Sequence, residues 1–403
     1  MSTKLPILFL CITVMLDSMG IGLIMPVMPD LIIDLGGETL SNAAIWGGTL
    51  TATFAVMQFI CGPTVGNLSD RFGRRPVLLV SLVVMSLDYL VMGIAGAMWI
   101  LVIGRIVGGI TSATQSTANA YIADISSPDK KAQNFGMIGA AFGVGFVLGP
   151  VVGGFLGEFG PRTPFFAAAI LAAANAVFGY LILPETVTDK IRRPFSWSRA
   201  NPFGAFQQVR KLPELSRLLI VFFFHNVAFF TYPSVWAYYT RESFAWDAAM
   251  VGISLGCFGL GSAIVQGGLM RLIIPRLGEH NTVLVGLAIT AMAFLGYAFA
   301  FEGWHIFALL PLSASGIIAG PALQGIMSRT ARDDQQGELQ GVLTSVGALG
   351  TIISPLLMTN VFGLFTKPDA PIYFPGAPFV LSMVLILISL FIFSGRKRLN
   401  PPS

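Results

Sequence analysis

The sequence predicts an all-α membrane protein with twelve transmembrane helices, arranged as two six-helix parallel repeats around a central cavity. Three observations carry that prediction. Of the 403 residues, 54% are hydrophobic and only 11% charged, against roughly a quarter charged in an ordinary soluble domain. Apolar stretches of about 20 residues, the length a helix needs to cross the hydrocarbon core, recur twelve times. Their centres fall near Gly20, Phe54, Ser86, Gly109, Gly145, Asn175, Phe229, Gly261, Ala291, Ser315, Leu349 and Ile386. Finally, "NFGMIGAAFGVGFVLGP" in the fifth span and "LQGVLTSVGALGTIISP" in the eleventh both run from a Gly (Gly136, Gly341) to a Pro (Pro150, Pro355) over the same interval. Parallel repeats of this kind place a cavity between them, near the midplane.

The first span follows Met-Ser-Thr-Lys and extends to about Leu35. It is too long for a signal peptide, carries Asp17 and lacks a small-residue cleavage site, so it is expected to be retained. Lys and Arg alternate between spacers. With a cytoplasmic N-terminus, the inner ones receive Arg71, Arg74 and Arg75; Lys130 and Lys131; Lys190, Arg192, Arg193, Arg199, Arg210, Lys211 and Arg217; Arg271 and Arg276; Arg329 and Arg332; and Arg396, Lys397 and Arg398. The outer ones receive Arg162, Arg241 and Lys367. That asymmetry predicts both termini in the cytoplasm. It also accounts for the net charge of +4 as topology, without nucleic acid as a partner. The polar interval from Glu185 to Arg217, with Pro194, Pro202 and Pro213, reads as a cytoplasmic linker. The expected organisation is a six-helix bundle over 1–184, a linker over 185–217 and a second bundle over 218–403.

The spacer after the second span reads "GNLSDRFGRRP", residues 66 to 76. Gly66 and Gly73 permit tight turns between antiparallel helices, and Asp70 among Arg71, Arg74 and Arg75 forms a compact charge cluster. Asp124, where the fourth span ends, is a natural partner for those arginines. The second-half counterpart, "GGLMRLIIPRLGE" from Gly267, keeps glycine and arginine without the aspartate, so any latch there is expected to be one-sided.

Three charges lie inside spans: Asp17 in the first, Asp88 of "SLDYLVMG" in the third and Arg105 of "GRIVGGIT" in the fourth. An unpaired guanidinium at depth costs about 2.5 kcal/mol or more, so Arg105 calls for a carboxylate at similar depth. Two readings follow. The trio is a fixed ion pair stapling three helices, or one carboxylate exchanges protons as access alternates. In the fifth span, "GVGFVLGPVVGGFLG" places Gly145, Gly149, Gly153 and Gly154 around Pro150, a flat stripe that lets another helix approach closely. Gln58, Gln115, Asn119, Asn226, Gln266 and Gln324 are membrane amides costly to leave in lipid, hence expected to face the cavity, as candidates to contact substrate, or another helix. "FFFHNVAFFTYPSVWAYY" supplies His225, either a packing residue or a proton-handling one, and Trp236, whose flat ring suits an amphipathic ligand.

Cys11, Cys61 and Cys257 all lie in apolar stretches and suggest neither a disulfide framework nor a metal site. No phosphate-binding loop, metalloprotease helix or nucleophile elbow is present. The expectation is therefore not an enzyme, with no cofactor and no metal.

The order of Gly, Asp and Arg in "GNLSDRFGRRP" resembles the signature of the major facilitator superfamily. There the aspartate meets the start of a helix in the other half, here near Gly337 to Gly341, and latches the outward-open state. The string G-x-x-x-G-P-x-x-G-G resembles that of the exporting, proton-antiporting branch. Together with "LDSMGIGLIMPVMP", "SLDYL", "YIAD", "GPVVGGF" and "PALQGIMS", these motifs resemble the tetracycline/proton antiporters along nearly the whole chain. In that family the counterparts of Asp17, Asp70, Arg74, Asp88 and Arg105 matter for transport. Gln58 and Gln266 match polar positions there. The second half departs: Ser262 replaces a membrane histidine and Thr290 a coupling aspartate. The resemblance implies a multi-pass protein of the bacterial inner membrane, acting as a monomer, whose partners are lipid, protons and an amphipathic drug that it exports. The alternatives are an exporter of an endogenous metabolite or siderophore, and an uncoupled facilitator.

Overall fold

The computed structural model describes residues 4–36, 39–112, 114–127, 129–188, 192–197, 200–204, 215–332 and 335–395. Lys190, Arg199, Arg210, Lys211, Pro213, Arg396, Lys397 and Arg398 lie outside the described residues. Among the described residues every long element is helical. In lipid this is what backbone chemistry demands, because a helix satisfies its own N–H and C=O groups without water.

The spanning helices are α1 (Lys4–Ile24), α2 (Leu40–Phe72), α3 (Arg74–Ile94), α4 (Met98–Thr111 and Thr114–Ile125), α5 (Lys131–Gly157) and α6 (Thr163–Ile182). They are followed by α7 (Ser216–Phe229 and Thr231–Phe244), which is interrupted at Phe230. Next comes one continuous stretch, Ala248–Ala298, of 51 residues. At 1.5 Å per residue it runs about 76 Å, more than twice the roughly 30 Å hydrocarbon thickness. It breaks at Gly278, whose φ of 71° lies outside helical space, and is therefore two crossings: α8 (248–277) and α9 (279–298). With α10 (Gly303–Gly316 and Ala319–Thr330), α11 (Gln336–Thr366) and α12 (Ala377–Ser394) the crossings among the described residues number twelve. Each centre expected from hydropathy falls within one of them.

Gly66 does not sit in a turn. Helix α2 continues to Phe72, and Gly73 alone carries the reversal, with φ 114°, a conformation that only glycine adopts cheaply.

By internal contacts the chain forms two compact units: Met1–Pro202 with Trp246–Gly256, and Phe203–Ala245 with Cys257–Ser403. In the first unit the glycine stripe of α5 faces α1. A Cβ on Gly149 would stand 2.5 Å from the Met19 carbonyl oxygen and 3.0 Å from Gly22 Cα, and one on Gly153 would stand 2.7 Å from Leu23 Cα. Gly145 presses likewise on the Met15 backbone. Gly154, on another face, meets the backbone of Ala248 and Ala249 at the start of α8. Helix α5 runs unbroken through Pro150, whose ring packs on Gly22. Because lipid tails are as apolar as leucine, close backbone approach and interhelical hydrogen bonds must do what the hydrophobic effect does in water. Three such bonds recur here: Ser18 donates to the Phe142 carbonyl (2.8 Å), Ser86 to the Ala169 carbonyl (2.8 Å) and Asn175 to Thr13 Oγ1 (2.9 Å).

The second unit packs differently, around aromatic rings. Tyr232 lies 5.1 Å from Phe258 and 5.2 Å from Phe294 between ring centroids, and Tyr239 lies 4.8 Å from Phe379. Their hydroxyls are not wasted: Tyr239 donates to the Tyr297 carbonyl (2.5 Å) and Tyr297 to Ser313 (2.9 Å).

Candidate functional site

The charges inside the first bundle gather around α4. Gly104 and Gly108 lie one turn apart on that helix, and the Asp88 carboxylate rests across both. A Cβ on Gly104 would stand 2.8 Å from Asp88 Oδ1, and one on Gly108 would stand 2.7 Å from Oδ2. Asp88 is 6% exposed, and its Oδ1 has no hydrogen-bond partner among the described residues. Burying a carboxylate this way is costly unless a countercharge or a proton compensates it. Arg105, between the two glycines in sequence, is electrostatically coupled to Asp88. Its guanidinium lies over Phe54 of α2 at 5.6 Å, while its Nε is buried without a partner among the described residues. The cation is thus held partly by a ring face, an interaction that strengthens when desolvated.

Tyr89, which the sequence reading passed over, joins Asp17 to this group. It is buried, feels the charges of Asp17, Asp88 and Arg105 together, and its hydroxyl sits against Gly20 of α1 so closely that no side chain fits there. Asp17 itself is half-buried. Nearby, Gly109 lets α4 approach the Phe54 carbonyl of α2, and Gln58 donates to the Ser112 carbonyl (3.4 Å) where α4 is interrupted.

At the opposite end of the bundle, the α2/α3 reversal at Gly73 is surrounded by a network centred on Arg74. Its Nη1 meets Asp70 Oδ1 and Ser69 Oγ, both at 2.6 Å, and its Nε meets Asp124 Oδ2 at 3.3 Å. The expected partnership of Asp124 with this turn is present, and Thr186 also donates to it (3.1 Å). Arg75 donates to the Tyr180 carbonyl (2.8 Å) and lies over the Tyr180 ring, while Arg71 lies over Phe72.

Glu185 was legible only as the first linker residue. Its carboxylate accepts from the N–H groups of Arg74 (2.9 Å) and Arg75 (3.2 Å), the first turn of α3, and from its own neighbours Thr186 and Val187. It packs against Gly73. A side chain three residues past the end of α6 therefore does the work of an N-cap.

In the second unit, His225 is 8% exposed, with Nδ1 unpartnered among the described residues and its ring beside Phe229. Its Nε2 faces Gly320 of α10. Asn226 spends its amide on the Phe222 carbonyl (2.8 Å) and packs on Gly350 of α11. Trp236 is 3% exposed, enclosed by Tyr232, Tyr239, Tyr297 and Phe379; its ring fills the bundle core. Gln115, Gln266 and Gln324 are exposed and Asn119 is half-buried. Gln266 sits in a π-helical turn, Val265–Leu269, a widening common at functional positions. Ser262 and Thr290 donate to their own helix, to the Phe258 and Gly286 carbonyls at 2.7 and 2.8 Å.

Twelve crossings in two units among the described residues, with Asp88 buried inside one and His225 inside the other, define a polytopic membrane protein built like a secondary transporter. The chain belongs to the Major Facilitator Superfamily, whose sequence profile matches residues 10–355. It is 41% identical over 350 residues to the class C tetracycline resistance protein of Escherichia coli, covering 87% of this chain and 88% of that one. It is 37% identical over 388 residues to the class B protein of the same organism, covering 96% and 94%. Among solved structures, the human organic anion transporter MFSD10 matches with a TM-score of 0.71 at 25% identity, covering 98% of this chain and all of that one.

Proposed function

We propose that this protein is a drug exporter of the bacterial inner membrane, with both termini cytoplasmic, that expels tetracycline or a similar amphipathic molecule in exchange for protons. The likeness to tetracycline resistance proteins over nearly the full chain supports the substrate class. The observation that carries the coupling is Asp88, a buried carboxylate with an unpartnered oxygen beside a cation held by a ring. Among the described residues no hydrogen bond to that oxygen locks the group in one protonation state. Ser262 and Thr290 offer no titratable group, so coupling falls to the first bundle, with Asp17 and Tyr89 at hand and His225 as the second-bundle candidate.

In the cycle, a proton entering from outside neutralises Asp88, loosens its hold on Arg105 and favours substrate release. On the cytoplasmic side the proton leaves and substrate binds again. A proton crossing a 100 mV potential supplies about 2.3 kcal/mol, enough for roughly 50-fold accumulation. Gln58, Gln115, Asn119, Gln266 and Gln324 are the proposed substrate contacts. The test is tetracycline uptake into proteoliposomes under an imposed pH gradient. Acceleration by the gradient is expected, and movement indifferent to it would overturn the coupling.

A further inference from the structure

Part of the stretch read as a linker is docked on the first unit. Asn67, buried on α2, donates through Nδ2 to the Ser196 carbonyl (2.7 Å), and the Arg193 N–H donates to the Asp70 carbonyl (3.3 Å). Residues 192–197 form no helix, yet they meet α2 at two points in reverse order, so the segment lies antiparallel along its last turns. The cause is the helix end. The Asp70 carbonyl belongs to the last turn of α2, where no N–H of the same helix remains to donate to it, and Arg193 supplies one.

Docking in this way forms a cationic ledge. Arg71, Arg192 and Arg193 are all exposed, while the neighbouring carboxylates are drawn to Arg74 and α3: Asp70 and Asp124 meet Arg74, and Glu185 accepts from the first turn of α3. Two large rings share the ledge. Phe72 is 59% exposed with the Arg71 guanidinium 5.1 Å from its centroid, and Trp197 is 79% exposed, edge-on to Phe195 at 5.0 Å. Beyond them α3 leaves Val80, Val83, Leu87, Leu90 and Ile94 exposed, at the spacing of one apolar helical face. Arginines and exposed aromatics at the end of such a face suit the headgroup layer of a membrane. A net negative headgroup adds about fivefold in affinity for each arginine near it. A soluble acidic partner would account for the arginines but not for the apolar face that adjoins them.

We propose that Arg71, Arg192 and Arg193, with Trp197, form a binding site for an acidic phospholipid of the inner leaflet, the arginines on its phosphate and the indole among the headgroups. The site rests on the topology proposed above and not on the identity of the substrate, so failure to move tetracycline would leave it untouched. The full chain in detergent is titrated with phosphatidylglycerol or with phosphatidylcholine, and bound lipid is counted by native mass spectrometry. Amide exchange of residues 192–197 is followed in nanodiscs of either lipid. Wild type should prefer phosphatidylglycerol about tenfold or more and exchange more slowly at 192–197 in its discs. Arg71→Gln, Arg192→Gln and Arg193→Gln should each weaken phosphatidylglycerol binding about fivefold with phosphatidylcholine unaffected, and the triple substitution should erase the preference. The corresponding triple change to Lys keeps the charges and should keep most of the preference, which separates lost charge from a misfolded ledge; loss of preference there counts against the site. Trp197→Ala should weaken both lipids alike. Glycerol 3-phosphate, a soluble carrier of the same phosphate, should not compete. If it does, and slows exchange at 192–197 without lipid, the occupant is a soluble phosphate compound and the lipid assignment falls. Equal binding of the two lipids by wild type, or a preference that survives the triple Gln substitution, overturns the proposal.

Discussion

Replacing Glu185 by Ala strips the first turn of α3 of its acceptor. In the structure that carboxylate receives the Arg74 and Arg75 N–H groups at 2.9 and 3.2 Å, and no residue next to α3 in sequence supplies a cap, because Gly73 has no side chain. Loss of a capping side chain costs about 0.5–2 kcal/mol. Glu185 is exposed and water competes for the freed groups, so about 1 kcal/mol is the appropriate figure, with a few tenths more from the lost anion at a helix N-terminus. An opening free energy lowered by about 1 kcal/mol raises amide exchange about fivefold at the two positions. The assay is exchange followed by mass spectrometry on a peptide starting at Arg71, with the amides of the buried residues Leu78, Ser81 and Leu82 as internal control. Glu185→Gln keeps an acceptor oxygen and should fall between. Unchanged protection at Arg74 and Arg75 in Glu185→Ala would refute the cap.

Gly149→Val puts a branched side chain against α1 backbone that cannot yield; it should cost about 1–3 kcal/mol or more, seen as a lower unfolding temperature and poor yield. Gly136→Ala and Gly139→Ala on the same helix meet nothing within 4 Å and should leave the unfolding temperature unchanged or slightly higher. Ser262→Ala and Thr290→Val remove hydroxyls that bond only their own helix, so gradient-driven uptake should persist. Its loss in either variant would restore a coupling role to the second bundle.

Hydropathy made the twelve crossings legible because each helix must be long and apolar on its own account, whatever it packs against. The glycine stripe of α5 and the Arg74–Asp124 pair were legible for a related reason: helical spacing alone puts Gly145, Gly149 and Gly153 on one face, and opposite charges at two helix ends seek each other. Glu185 and Tyr89 were not, since each depends on segments far apart in sequence meeting in space. Gly66 misled because glycine in a polar spacer suggests a turn, whereas α2 simply runs on to Phe72. Trp236 shows the limit of reading aromatics in a membrane helix, where a ring bound for ligand and a ring bound for the core look alike.

The central claim is that Asp88 carries the proton. Asp88→Asn keeps the shape of the side chain and removes its charge, so reconstituted protein should still exchange tetracycline across the membrane by counterflow, which needs no net proton movement. Uptake driven by an imposed pH gradient should vanish in the same preparation. A variant whose uptake follows the gradient as the wild type does would contradict the account.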